Sequence, residues 1–454
     1  MLKKRAASFW LNAMFYTMLQ RVSLFIFGVF GYMILVRGFS TSTNGVWALY
    51  VTLFSLFEAV KQGLLRNVTI KFLAQKEFKD RNEAVQSTSI FINTIFSLII
   101  VSIIFSLDDQ IATWLKAPAL QTLLIASSAN ILLLIPYNHC EILLQAHYRF
   151  DTLFRAAFIR QGIFFAGLTL LFFFLPIHFT LINVLILQIF ALLTALIYLY
   201  SQTSEMVFRK FIYDAELSMK FFHFGKYTFG TNFFAGLSRS FDHFITAAFL
   251  GSVEGKNYVA YYNTVSRINN MVDVPSLAAA DVLYPKNVEV LEKEGMEKVK
   301  YYFEQVTGTI LAFIVPLSLF IFIFPKFIIY IVAGPDYYPA IVLLQLTILF
   351  SMVRPLSYQF GSTLDAIGKP AINFTVNVVL MIVNLILTIL FLRMYGGIGA
   401  AYATIIYYSV SLIVMLIILK KYINIEAGNI LRFSLKRYRD LLGKTENAKR
   451  EKQT

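Results

Sequence analysis

The sequence predicts an all-α integral membrane protein, on three observations. Of its 454 residues, 58% are hydrophobic and only 15% are charged, too little charge to cover the surface of a soluble protein this long. Its apolar runs have the length of membrane helices, about 20 residues, whereas membrane barrels are written in short alternating segments. Its basic residues fall almost wholly into alternate loops, the pattern that orients multi-pass chains.

The apolar runs give about twelve spans. In order they cover 8–36, 46–65, 86–106, 119–144, 155–175, 180–201, 226–250, 257–283, 302–324, 338–362, 371–392 and 397–419. The first follows the basic cluster Lys3, Lys4 and Arg5 with no small-residue cleavage site behind it, so it reads as an uncleaved span. An even number of spans puts both termini on one side. Of the 40 Lys and Arg residues, 32 fall on that side, with Arg354 and Lys369 counted among its loops. Five, Arg37, Lys116, Lys256, Lys326 and Arg393, fall on the other. The basic side and both termini are therefore expected to be cytoplasmic. The net charge of +14 sets topology, and no nucleic-acid partner is expected.

The external loops are short. The cytoplasmic loops 66–85, 202–225 and 284–301 are longer and amphipathic, and surface helices are expected there. The tail KRYRDLLGKTENAKREKQT, residues 436–454, reads as a solvated end that frays and is drawn to lipid headgroups.

An internal repeat sets the domains. Ala48-x-Tyr50-x-Thr52 returns as Ala260-x-Tyr262-x-Thr264, and Leu144-x-Ala146-x-x-Arg149 as Leu364-x-Ala366-x-x-Lys369. This divides the chain into an N-terminal six-helix lobe 1–201, a linker 202–225, a C-terminal six-helix lobe 226–421 and a basic tail 422–454. Six spans per lobe give both the same sense in the bilayer, related by a pseudo-two-fold axis along the membrane normal.

No enzyme is expected. The sequence holds no phosphate loop, HExxH, GxSxG or CxxC. The single Cys140 excludes an internal disulfide and a cysteine-based metal cluster, and the neighbours His139 and Glu141 read as a polar patch. External segments such as Asp108–Asp109 and Val253–Asn257 are too short to hold a catalytic domain.

The chemistry lies in charges within the spans, which are costly in hydrocarbon and mark functional sites. Arg21 and Arg239 each sit about 13 residues into their spans, near 20 Å of rise. Arg267 sits about 10 residues, or 15 Å, into its span. Neither Arg21 nor Arg267 has an acid one helical turn away. Arginine's planar fork suits phosphate, so these three are the candidate cations of a substrate cavity. Asp242 and His243 share a face with Arg239, Asp273 follows Arg267, and Glu58 and Lys61 are i, i+3 neighbours. The four residues Asp242, Asp273, Glu58 and Lys61 are either ion-coupling groups or ion pairs that fix packing. Lys61 lies near enough to the interface to snorkel. Pro136, Pro275 and Pro316 fall inside spans as static kinks or hinges. Gly28, Gly31, Gly230, Ala235 and Gly236 permit close helix contact.

Two parallel halves, GVWALYVT entering span two, RSFDHFITAAFLGS before NYVAYYNTVSR, and the turn LDAIGKP resemble the polysaccharide transporter family. That family belongs to the multidrug/oligosaccharidyl-lipid/polysaccharide flippase superfamily, and the resemblance covers roughly residues 8 to 421. It implies an inner-membrane flippase of bacteria. Such a protein moves an undecaprenyl-pyrophosphate-linked oligosaccharide to the periplasmic leaflet, for O-antigen, capsule or exopolysaccharide assembly. It implies alternating access, Na⁺ or H⁺ as candidate coupling ions, no cofactor, and a polysaccharide polymerase and other assembly proteins as partners beside membrane lipids. The alternative is a cation-coupled multidrug exporter of the same superfamily. Such exporters usually carry a first-lobe carboxylate, and span one here has Arg21 and no acid.

Overall fold

Inside a bilayer a backbone finds hydrogen-bond partners only within its own helix or a closed barrel, and this chain takes the helical solution. The computed structural model describes residues 2–74, 80–222, 244–250 and 253–451, and among these there is no strand. The chain forms two compact units, Met1–Ala260 and Tyr261–Thr454.

Unit 1 holds α1 (Leu2–Gly38), α2 (Thr41–Ala74), α3 (Asn82–Trp114), α4 (Ala119–Ala146), α5 (Phe150–Phe174) and α6 (Leu181–Thr203). Half of the α4 span is buried against 11% of the α5 span, so α4 is the central helix of the unit. Its Leu120, Leu123 and Ile131 pack with Tyr50 of α2, Ile104 of α3 and Leu185 of α6. Thr180 caps α6, its hydroxyl accepting from the Asn183 amide at 3.3 Å.

α7 (Glu254–Glu294) begins in unit 1 and continues into unit 2. Unit 2 adds α8 (Met296–Ile323), α9 (Pro325–Val332), α10 (Ala340–Ile348), α11 (Arg354–Ala366), α12 (Pro370–Tyr395), α13 (Gly399–Ile423) and α14 (Ala427–Glu451). Its core joins Phe303 of α8 and Phe360 of α11 to Leu380 of α12 and Leu419 of α13.

Among the described residues seven stretches are long and apolar enough to cross a membrane, and the pair 340–352 and 354–366, bent by 43°, makes an eighth. α2 and α7 cover the predicted spans 46–65 and 257–283 as unbroken helices and hold the charges Glu58, Lys61, Arg267 and Asp273. The protein is thus an all-α, multi-pass membrane protein. Most of the predicted span 226–250 lies outside the described residues, and with it the full count of spans.

The repeated six-residue motifs fold alike. Arg149 donates to the Leu144 carbonyl at 2.8 Å, and Lys369 to the Leu364 carbonyl at 2.8 Å. The residue before each basic residue takes a left-handed backbone, Tyr148 at φ 57° and Gly368 at φ 73°. The same turn therefore ends α4 in one unit and α11 in the other.

Two surface segments are held more firmly than their composition suggests. The stretch after α6 lies along the start of α3. Gln86 donates to the Met206 carbonyl at 3.0 Å and accepts from the Phe208 amide at 3.0 Å. Arg81 pairs with Asp214. Leu217 and Phe221 then bury against Val68, Phe72 and Val85. Asp214 accepts from the Leu217 amide at 3.0 Å; that bond and the Arg81 guanidinium hold its carboxyl below the usual carboxylate range.

The tail, expected to fray, is helical from Ala427 to Glu451. Ile430, Phe433, Ser434 and Tyr438 recur at helical spacing and face α8, where the Tyr438 hydroxyl donates to the Ala312 carbonyl at 2.7 Å. Glu304 of α8, 3% exposed, accepts from the Glu426 amide at 2.8 Å and from Asn429 at 3.0 Å. A Cβ on Gly308 would collide with the Ile430 carbonyl and come within 2.8 Å of Phe433 Cβ. Close helix contact is made here rather than at Gly28, which faces open space, while Gly31 makes ordinary contact with Leu168 at 3.7 Å. Gly230, Ala235 and Gly236 lie outside the described residues.

Candidate functional site

Among the described residues, each unit holds a cluster of charged side chains inside its helices. In unit 1, Glu58 and Lys61 project from one face of α2, and Lys61 Nζ meets Glu58 Oε1 at 2.9 Å. Lys61 is 1% exposed: it turns into the protein rather than snorkelling to the interface, because α4 supplies polar partners there. Asn138 of α4 donates to Glu58 Oε2 at 3.3 Å, and Arg66 Nε to Gln145 Oε1 at 3.0 Å. Lys61, Arg66, Asn93, Asn138 and Glu141 line a small cavity, and beside it Arg160 of α5 lies over the Tyr137 ring at 5.2 Å. Acids and bases alternate across α2, α4 and α5, so the cluster braces three helices and offers polar groups to a small ion or water.

The neighbours singled out around Cys140 have structural partners. His139 Nε2 lies 3.3 Å from Gln86 Oε1, and Thr203 donates to the Cys140 sulfur at 3.3 Å. Among the described residues no three His, Cys, Asp or Glu side chains converge as metal ligands.

In unit 2 a polar seam runs along α7. Asn269 donates to Thr347 at 3.0 Å, Asp273 pairs with Arg354 at 2.5 Å, and Tyr358 donates to Asp273 at 3.3 Å. Gln359 donates to the Ser276 carbonyl at 3.0 Å, Ser362 to the Ala280 carbonyl at 3.1 Å, and Asn287 to Thr363 at 3.0 Å. Residue numbers rise together on both sides, so α7 and the 347–363 segment run in the same direction. Eighteen residues of helix make the seam about 27 Å long. Arg354 also lies over the Tyr408 ring at 5.3 Å. Among the described residues the Oδ1 atoms of Asn269, Asp273 and Asn287 and Oε1 of Gln359 lie buried and accept no hydrogen bond from protein.

Of the sequence-derived candidates, Glu58 and Lys61 lie together, and Asp273 lies in the seam. Arg267 Nε donates to Asn263 Oδ1 at 3.1 Å one turn earlier on α7. Arg21 is an exposed side chain of unit 1. Arg239, Asp242 and His243 lie outside the described residues. The charge distribution counts Arg354 among the loop cations. It opens α11 inside the predicted span 338–362 and turns inward to Asp273, since α7 places a carboxylate there that needs a cation. Tyr358, Glu304, Asn138 and Arg160 escaped sequence reasoning as well. The signal available for Arg354 was the Arg-Pro step in the middle of an apolar run.

Solved structures share this architecture. The chain is similar to a lipid II flippase in an inward closed conformation, with a TM-score of 0.73 at 16% identity over 93% of this chain and 90% of that one. It is similar to an inward-facing multidrug resistance MATE family transporter of the MOP superfamily, with a TM-score of 0.74 at 14% identity over 94% of this chain and 99% of that one. At such identities the likeness is one of fold. An uncharacterized membrane protein of Methanocaldococcus jannaschii is 30% identical over 171 residues, 37% of this chain and 33% of that protein. A probable low-salt glycan biosynthesis flippase of Haloferax volcanii is 21% identical over 186 residues, 41% of this chain and 39% of that protein. The chain therefore matches well under half the length of these two relatives. The profile of one family, described as polysaccharide biosynthesis protein, matches residues 34–342, from the end of α1 into α10, so the chain belongs to the polysaccharide biosynthesis protein family.

Proposed function

We propose that the chain is a flippase that carries an undecaprenyl-pyrophosphate-linked oligosaccharide across the bacterial inner membrane for surface polysaccharide biosynthesis, and is not an enzyme. The observation that carries this reading is the pairing of ionisable side chains within helices of both units, Glu58–Lys61 and Asp273–Arg354, in a chain of this family. Charges at membrane depth persist where a polar substrate path needs them. Arg21, Arg239 and Arg267 are the cavity cations, and their planar forks suit a pyrophosphate that a glycan tail follows. The relative named as a glycan biosynthesis flippase supports the substrate class.

In this reading 1–201 and 226–421 act as the two lobes of an alternating-access cycle, and the shared turn at 144–149 and 364–369 supports that plan. Both termini face the cytoplasm, as the distribution of basic residues supports. Asp242, Asp273, Glu58 and Lys61 are the candidates for coupling transport to Na⁺ or H⁺, or for ion pairs that fix the packing. A polymerase and other polysaccharide-assembly proteins take the product.

The test is complementation of a deletion strain. Arg267→Ala and Arg239→Ala are expected to remove surface glycan while the protein stays in the membrane. Full export by the double variant contradicts the cationic cavity. A cation-coupled multidrug exporter is the second reading, favoured by Asp273, a carboxylate 1% exposed inside unit 2. Drug sensitivity gained on deletion, with surface glycan intact, would support it.

A further inference from the structure

α14 presents three faces. Ile430, Ser434 and Tyr438 pack on unit 2. At about 100° per residue, Leu431 and Leu435 come next around the helix, and Arg432, Lys436 and Arg439 after them. The two leucines are 61% and 56% exposed, and all three cations are exposed. An apolar stripe between a docked face and a cationic face is the cross-section of a helix lying in a bilayer interface. Two observations place it there. α14 starts four residues after α13, a membrane helix ending in Lys420 and Lys421. The Lys300–Glu426 pair, at 2.5 Å, ties its start to the basic end of α8, a second membrane helix. Basic residues at the ends of two spans mark the headgroup level.

We propose that α14 is a docking surface for anionic phospholipid. Leu431 and Leu435 enter the acyl boundary, and Arg432, Lys436 and Arg439 hold headgroup phosphates. Two leucines are far too little apolar area for a stable protein interface, which buries roughly 800 Å² per partner. Three cations along one face match a negatively charged leaflet, where each basic side chain strengthens attachment by about fivefold. The inner face of the same helix is fixed to α8 by Glu304 and Tyr438, so the leaflet is coupled to a membrane helix of unit 2. This does not depend on what the protein transports.

The test uses the full-length chain in nanodiscs, with Cys140→Ala and a nitroxide at Leu435→Cys. Accessibility to oxygen and to an aqueous nickel chelate is compared in phosphatidylcholine alone and with phosphatidylglycerol added. The expected result is a label that becomes oxygen-accessible and nickel-shielded when phosphatidylglycerol is present. Replacing Arg432, Lys436 and Arg439 together by Gln is expected to weaken attachment roughly a hundredfold and abolish the lipid dependence. A label at the same depth in both lipids, or in water in both, overturns the proposal, and this comparison needs only the native cations. Inorganic pyrophosphate producing the same shift in phosphatidylcholine also overturns it, because the site would then serve a soluble phosphate.

Discussion

Asp273 and Arg354 meet at 2.5 Å where the 340–366 run bends by 43°. The bend is a break in the helix, with Pro355, which has no amide proton, at its second residue. The pair ties the second half of the bent span to α7, as the Asn269–Thr347 bond ties the first. Removing Arg354 alone leaves a buried carboxylate without its cation. Arg354→Met is therefore expected to cost about 3–5 kcal/mol. The double variant Asp273→Asn with Arg354→Met is expected to recover most of that. Thermal unfolding of the purified chain checks both, and equal losses in the single and double variants would deny the pair its role.

The shared turn makes opposite predictions in the two units. Gly368 holds φ 73° without a Cβ, whereas Tyr148 holds φ 57° with one. Gly368→Ala is expected to destabilise by about 1 kcal/mol, the left-handed penalty of a side chain. Tyr148→Gly is relieved of that penalty and is expected to be neutral or stabilising. The thermal midpoint should fall for Gly368→Ala and should not fall for Tyr148→Gly.

Asp214 makes the linker contact pH-dependent. Its carboxyl is held down by the Leu217 amide and by Arg81, so the folded value lies below the unfolded one. The stabilisation is fully present above the ordinary carboxylate value of about 3.9 and is lost as pH falls through the lower folded value. A spin label at Met219→Cys, in the Cys140→Ala chain, is expected to stay immobile from neutral pH down to about 4 and to loosen below. Asp214→Asn should loosen it at every pH. A mobility that ignores both pH and this substitution would remove Asp214 from the contact.

Gly308 admits α14 to α8. Gly308→Val drives side-chain atoms into the Ile430 carbonyl and is expected to undock the helix, loosening its backbone so that trypsin cuts after the already exposed Arg432 and Lys436. Tyr438→Phe loses one hydrogen bond, about 1 kcal/mol, and is expected to leave the helix docked. Equal trypsin resistance in the Gly308 variant and the native chain would contradict this packing.

The helices were legible because apolar length is a strong signal, and Glu58–Lys61 because i, i+3 partners are neighbours in the sequence itself. Arg354 was misread because its partner lies 81 residues away, and nothing local separates a loop arginine from one at a break inside a span. Snorkelling was the wrong expectation for Lys61, because the α4 amide of Asn138 that steadies its partner Glu58, and the cavity that α4 lines there, are set by the packing of α4 on α2. In the tail, charge from Lys436 onward spoke for a fraying end, while the helix that carries it starts at Ala427 and its Tyr438 is docked on α8.

The measurement that tests the flippase most directly is the lipid-linked oligosaccharide pool of a deletion strain, assayed separately in each leaflet. The predicted result is accumulation on the cytoplasmic face with surface glycan lost, both restored by the native chain and not by Arg267→Ala. Unchanged pools in both leaflets, with a gain in drug sensitivity, would contradict it.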